Sequence, residues 1–246
     1  MFYVMAGARG DYEKYRRLLK KIRLKDDDTL YVLGNVINGG NEGMKILLDM
    51  MMCPNVYPVI GKSEYAALPC LKWLAENTSE DSFDSMNDKI RGKMMDLISN
   101  GGQQTIFSFR TLTDEQKEMV LDYLSDFSLY EEVRIKGKDY VLVSAGINNF
   151  DKDKELDDYD IRELISEGPD YSKVYYDNKI LVTAHTPTRK IYEADDPFAE
   201  PTPNGEPSRY DMIYCANNHI AVNCGSDIGG RLAAVRLDDM EEFYAD

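Results

Sequence analysis

Residues 29–40 read Thr29-Leu30-Tyr31-Val32-Leu33-Gly34-Asn35-Val36-Ile37-Asn38-Gly39-Gly40, an apolar run followed by a glycine-rich loop. Leu30 to Leu33 has the length and character of a buried strand, and Met44 to Met51, just past the loop, reads as a helix packed on it. The same order occurs on both sides. Upstream, Phe2 to Ala6 predicts a strand, Gly7-Ala8-Arg9-Gly10 a turn and Asp11 a helix N-cap. Tyr12, Tyr15, Leu19 and Ile22 then recur at helical spacing, with Arg16, Arg17, Lys20 and Lys21 on the other face. Downstream, Val56 to Ile60 predicts a third strand, and Gly61-Lys62-Ser63-Glu64 turns into a helix running to about Glu76. Strands that each hand a loop to a following helix form the βαβ pattern. It predicts a mainly parallel sheet with sites at the carboxyl ends of its strands.

The middle of the chain reads as helical and its end as strand-rich. Thr113-Asp-Glu-Gln116 has the form of a capping box, with Val120, Tyr123, Leu124 and Phe127 following on one face. Val133 to Ile135, Gly137-Lys138 and Tyr140 to Val143 predict a hairpin. Ile180 to Thr183, Ile213 to Tyr214, Ile220 to Val222 and Leu232 to Val235 predict further strands, so the second half reads as a second sheet stacked on the first. Residues 195–209 hold Pro197, Pro201, Pro203, Pro207 and Gly205 and read as a loop rather than an interdomain linker. A chain of 246 residues without internal repeats suits one domain over 1–246.

Lys and Arg number 29 against 44 Asp and Glu, for a formal net charge of −15. That sign argues against nucleic acid or an anionic membrane surface as the main partner. Residues 151–170, 193–211 and 237–246 carry −6, −5 and −5, which leaves the remainder at +1. The acidity therefore belongs to two loop-like stretches and the tail, expected to be solvated surface rather than a docking site for a basic partner. Cys53, Cys70, Cys215 and Cys224 lack the pairing of a zinc ribbon or secreted scaffold and read as reduced thiols, none with a sequence neighbour that would make it a nucleophile. No signal peptide and no long apolar span is present, so the expected location is cytoplasmic. His219 reads as a hydrogen-bonded framework residue, and Met50-Met51-Met52 as helix packing or helix end.

Five of these strand-end loops, in order and spacing, resemble those of the calcineurin-like metallophosphoesterases, in particular the bacterial and bacteriophage lambda-type serine/threonine protein phosphatases. Framework stretches carry the resemblance too: Thr29 to Gly34, Asn100-Gly-Gly-Gln103, Pro169-Asp-Tyr-Ser172, Lys179 to Thr183 and Gly229-Gly-Arg-Leu-Ala233. The resemblance implies a four-layer α/β/β/α sandwich with the site where the loops of both sheets converge. Active members hold two divalent metals, such as manganese, about 4 Å apart, which acidify a bridging water and clamp the phosphate. A His then protonates the leaving alkoxide and Arg side chains grip the phosphoryl oxygens.

Most residues for those roles are missing. Where the family has Asp-x-His-Gly, this chain has Gly7-Ala8-Arg9-Gly10. Where it has Gly-Asp-x-x-Asp-Arg-Gly, Asn35 replaces the bridging Asp, Asn38 the second Asp and Gly39 the Arg. Gly-Asn-His-Glu has become Gly61-Lys62-Ser63-Glu64, which removes a metal-binding Asn and the general acid. Ser144 stands for the His of Val-His-Ala-Gly, and Gly168 for a further phosphate-binding Arg. Only Ala184-His185-Thr186-Pro187-Thr188 keeps its ligand, His185. A lone His cannot assemble a dinuclear centre. At an effective dielectric near 20, unit charges about 4 Å apart interact by roughly 4 kcal/mol, so a divalent ion beside Arg9 or Lys62 meets repulsion on the order of twice that.

The expectation is therefore a pseudophosphatase with no catalytic residues and no cofactor, acting by binding or scaffolding on a phosphorylated protein or another protein partner. The alternative is a residual or altered metal-dependent phosphoester hydrolase. Arg9, Lys62, Asn35, Asn38 and His185 are the candidate anion-binding residues. Against that stands the simpler outcome in which Arg9 and Lys62 form ion pairs with Glu64 or nearby acids and fill a dead cavity. Ser63 and Ser144 have no recognisable base in sequence reach.

Overall fold

The computed structural model describes residues 1–77, 86–196, 198, 200, 203, 206 and 208–246. Pro197, Pro201, Pro207 and Gly205 of the proline-rich stretch lie outside the described residues. The chain opens with β1 (Phe2–Met5), α1 (Tyr12–Ile22), β2 (Thr29–Leu33), α2 (Gly43–Met51), β3 (Val56–Val59) and α3 (Lys62–Glu76). The local signals hold there: Asp11 Oδ1 caps α1 by accepting from Lys14 N at 2.9 Å. Next come α4 (Asp88–Leu97), α5 (Gln103–Arg110) and α6 (Asp114–Ser125). Both halves of the Thr113/Gln116 capping box form at the start of α6. The second half holds β4 (Tyr130–Ile135), β5 (Lys138–Val143), α7 (Ile161–Ile165), β6 (Lys179–Thr183), α8 (Thr188–Asp195), β7 (Tyr214–Ala216), β8 (His219–Ala221), β9 (Leu232–Arg236) and β10 (Glu241–Ala245).

Among the described residues, ten strands form two five-stranded sheets, in orders β10-β9-β1-β2-β3 and β4-β5-β6-β8-β7. Between them lies an apolar layer to which one sheet gives Val4, Leu33 and Val235 and the other gives Leu142, Val182 and Ile220. Helices cover both outer faces. Leu18 of α1, Leu47 of α2 and Leu71 of α3 pack on Met5, Leu30 and Val32 of the first sheet, and Leu164 of α7 packs on Val141 and Leu181 of the second. Strands buried on both faces read as continuous apolar runs, which explains why β2 and β5 lack alternation. The result is an α/β/β/α sandwich, with all of β1, β2, β3, β5, β6 and β8 delivering loops from their carboxyl ends.

The sheets are mixed rather than mainly parallel. β1, β2 and β3 are parallel, but β9 runs antiparallel between β1 and β10, and β4 and β7 run antiparallel at the edges of the second sheet. The tail expected to be acidic surface is partly strand β10. Its Ala245 is buried, Phe243 meets Tyr3 edge to face at 5.9 Å, and the exposed Glu241 guards an open edge. The other acidic stretches are also structured in part: Asp160 caps α7, and Asp211 is buried against Arg189. Among the described residues no helix is long and apolar enough to cross a membrane.

Candidate functional site

Two pairs of glycines lock the strand-end loops together. A Cβ on Gly34 would meet Gly61 Cα at 2.5 Å, and one on Gly10 would meet Gly40 carbonyl atoms at 2.7 Å, so these backbones touch only because neither carries a side chain. Backbone bonds from Arg9 N to Asn35 O (3.0 Å), Gly10 N to Val36 O (2.7 Å) and Gly40 N to Arg9 O (2.7 Å) join the first two loops. The third is tied in by Glu64. Its carboxylate is fully buried at the start of α3 and accepts from the N–H groups of Asn35, Val36, Ile37 and Gly61 at 2.8–3.2 Å. Satisfied in this way, a buried carboxylate organises the loop that carries Asn35.

These loops line a cavity of about 420 Å³. Arg9, Asn35, Asn38, Lys62, Ser63 and His185, six of the residues singled out in the sequence, meet in its wall. The other four do not contribute side chains there. Gly7 offers its carbonyl to Ser226 Oγ at 2.7 Å, Gly39 bonds through N to Gly101 O at 3.1 Å, Gly168 packs on Thr186, and Ser144 is buried with its hydroxyl unpartnered and does not line the cavity. Three further wall residues, Asp96, Asn223 and Asp227, escaped the sequence reading. Asn223 and Asp227 belong to the loop after β8, and left-handed Gly225 and Gly229 flanking Asp227 were the available signal. Asp96 arrives from α4, for which sequence spacing offers no cue.

The polar groups have distinct commitments. Asn35 Oδ1 accepts from Ser63 Oγ at 3.1 Å, and Asn38 Oδ1 accepts from Thr105 Oγ1 at 2.8 Å. Both amide oxygens are therefore occupied, while neither NH2 group has an acceptor among the described residues. Arg9 Nε lies 2.8 Å from Asp227 Oδ2, an ion pair without hydrogen-bond geometry, and neither Nη group donates a hydrogen bond among the described residues. Lys62 Nζ has no ion pair among the described residues. Of the two outcomes weighed for these cations, Arg9 thus meets an acid, but Asp227 rather than Glu64, and Lys62 meets none. His185 is half-buried, and burial, reinforced by Lys62 and Arg9 against Glu167, pushes its imidazole below the ordinary His value. It is neutral at pH 7. Arg9, Asn35 and Asn38 all stand at positive φ (43°, 52° and 69°), a conformation that asparagine adopts readily and arginine less so.

These residues do not fit a dinuclear metal centre. Among the described residues no group of three or more His, Cys, Asp and Glu converges. The cavity's carboxylates are Asp227, held by Arg9, and Asp96, exposed on α4. The four thiols are also unsuited to act as nucleophiles. Burial raises the pKa of Cys53, Cys70 and Cys224, the last to about 12, and Cys215, exposed at the surface, has no positive group beside it among the described residues to make it a thiolate. His219 sits where expected, nearly fully buried with Nε2 donating to Lys173 O at 3.0 Å.

No family model matches the sequence, and no curated protein matches it. Solved structures do. A candidate diadenosine tetraphosphatase superposes with a TM-score of 0.64 at 15% identity over 99% of this chain and 92% of the other. A metallophosphoesterase from Sphaerobacter thermophilus gives 0.52 at 11% identity over 99% and 87%. A protein serine/threonine phosphatase from Saccharomyces cerevisiae gives 0.53 at 12% identity over 100% and 80%. At such identities the likeness speaks to architecture alone: the chain shares the fold of these phosphoesterase and phosphatase structures.

Proposed function

We propose that this chain is a pseudophosphatase, a degenerate relative of the bacterial lambda-type serine/threonine protein phosphatases whose cavity holds a phosphate group without cleaving it. The observation that carries the reading is the direction of the free hydrogen bonds. Asn35 and Asn38 have spent their oxygens on Ser63 and Thr105 and keep N–H donors, and Lys62 and the Nη groups of Arg9 add charged ones. A cation needs oxygen acceptors, whereas a phosphoryl group supplies three acceptors of its own. The amino terminus of the 15-residue helix α3, which places Lys62 and Ser63 in the wall, adds a favourable dipole. Nucleophilic chemistry lacks its parts: the Ser63 hydroxyl proton goes to Asn35 rather than to His185, so no base activates it.

The function is then to bind a phosphorylated side chain of a partner protein and to act as a scaffold. Four cysteines without a disulfide suit a reducing compartment, and the proposed location is the cytoplasm. Isothermal titration with inorganic phosphate at low salt tests the pocket. Heat is expected from the wild type and none from Arg9→Ala combined with Lys62→Ala, while Asp227→Asn, which removes the negative charge beside Arg9, tightens binding severalfold. An aryl phosphate should not turn over with added manganese. Turnover abolished by His185→Ala would replace this reading with an altered hydrolase.

A further inference from the structure

Beside the phosphate cavity lies a second depression of about 510 Å³, which shares Lys62, Ala66 and Asp96 with it and runs between α3, α4 and α7. Its floor is apolar, built from Leu68, Pro69 and Ile165 with Tyr65 standing 37% exposed. Lys62, Tyr65, Pro69 and Lys72 follow one another three or four residues apart along one face of α3. Lys93 comes from α4 and Arg162 from α7. None of these four cations has an ion-pair partner among the described residues, and Asp96 is the one carboxylate among the described residues of the lining. In a chain of net charge −15 this is a local reversal of sign, on a surface that also offers apolar contact.

The spacing of the charges limits what fits. Ten residues of α-helix separate Lys62 from Lys72, about 15 Å. A compact anion cannot touch both ends, but an extended peptide, advancing about 3.3 Å per residue, covers that distance in four to five residues. We infer that this groove is a subsite for acidic residues flanking a phosphorylated one, so that the ligand is an extended acidic phosphopeptide segment of a partner protein, with its phosphate between Lys62 and Arg9 and its carboxylates at Lys72, Lys93 and Arg162. The inference rests on the anion-binding reading of the first cavity. It adds which phosphorylated segments are chosen: exposed charge pairs contribute modestly one by one, but several together select a sequence and speed the encounter.

Fluorescence anisotropy at low salt with three labelled peptides separates the two claims: phosphoserine among alanines, phosphoserine with glutamates four and five positions to either side, and the acidic peptide without phosphate. The acidic phosphopeptide should bind about five- to tenfold more tightly than the alanine one, an advantage that fades at high salt. Lys72→Glu with Lys93→Glu, both at exposed positions, should erase that advantage and leave the affinity for inorganic phosphate unchanged. Equal affinity for the two phosphopeptides, or an advantage that survives the double substitution, overturns the groove while the phosphate pocket stands. An acidic peptide that binds as well without its phosphate also overturns it. Sedimentation with phosphatidylserine vesicles that is lost in the double variant would assign the groove to a lipid surface instead. Silence toward inorganic phosphate and every phosphopeptide overturns the pocket together with the groove.

Discussion

His219 illustrates how a single side chain fixes a pH response. Its Nε2–H donates to the Lys173 carbonyl, its Nδ1 is buried without a partner, and Tyr171 and Tyr175 rings lie 5.5 and 5.3 Å from the imidazole. Protonating Nδ1 would create a buried donor with nothing to receive it, so burial lowers the pKa from its ordinary 6.5. The unfolded chain then takes up a proton more readily than the folded one. Stability is full above pH 6.5 and falls as pH drops through that value toward the folded pKa. Melting temperature followed across this range should fall less steeply in His219→Gln, which keeps an N–H donor and does not titrate; an unchanged slope would locate the response elsewhere. The role of His219 was legible from its neighbours in the sequence, because a polar ring beside an apolar strand needs a partner. Asp227 was not legible: its role comes from contact with Arg9, 218 positions away in the chain, through a loop that Lys14 holds by donating to Ser226 O and Gly230 O.

At the scale of elements, α8 is anchored by a buried ion pair. Arg189 donates to Asp211 through Nε at 3.0 Å and Nη2 at 2.6 Å, both side chains are about 97% buried, and Nη2 also reaches Glu206 O at 2.7 Å. Asp211 Oδ2 accepts from Ser208 N as well. This pair ties Glu206, Ser208 and Asp211 to α8. Arg189→Ala strands a buried carboxylate and should cost about 3–5 kcal/mol in urea unfolding, whereas Arg189→Met with Asp211→Leu should cost much less. Comparable losses in the single and double variants would show that packing, not charge, holds the segment. The sequence placed Asp211 in a solvated acidic stretch because charge counting cannot tell a buried acid from an exposed one. Strand β10 was hidden for the same reason. Its acids mask a short edge strand that needs one partner only, and pairing with β9 decides it. The glycine-to-helix turns of β1, β2 and β3, by contrast, were readable throughout, since their loop geometry is written in local residue types.

Over the whole molecule, ligand linkage separates the two kinds of occupant. A ligand at a hundredfold excess over its Kd stabilises the folded state by about 2.7 kcal/mol, which for a chain of this length raises Tm by several degrees. Thermal melts should therefore rise with phosphate and stay level with manganese. A rise with manganese that His185→Ala removes would return the metal to the cavity. The sequence by itself determined the architecture, because apolar runs, capping residues and loop glycines are local chemistry, and it determined that positions 9, 35 and 38 carry no carboxylate in any conformation. It also supplied six side chains of the cavity. Only the tertiary structure decided their commitments: that Glu64 serves the backbone, that Arg9 meets Asp227, that the asparagines keep donors rather than acceptors, and that Lys62, Lys72, Lys93 and Arg162 share one groove. Hydrogen-bond direction and the sign of a local field depend on which groups meet across the fold, and chain order does not encode that adjacency in any short pattern.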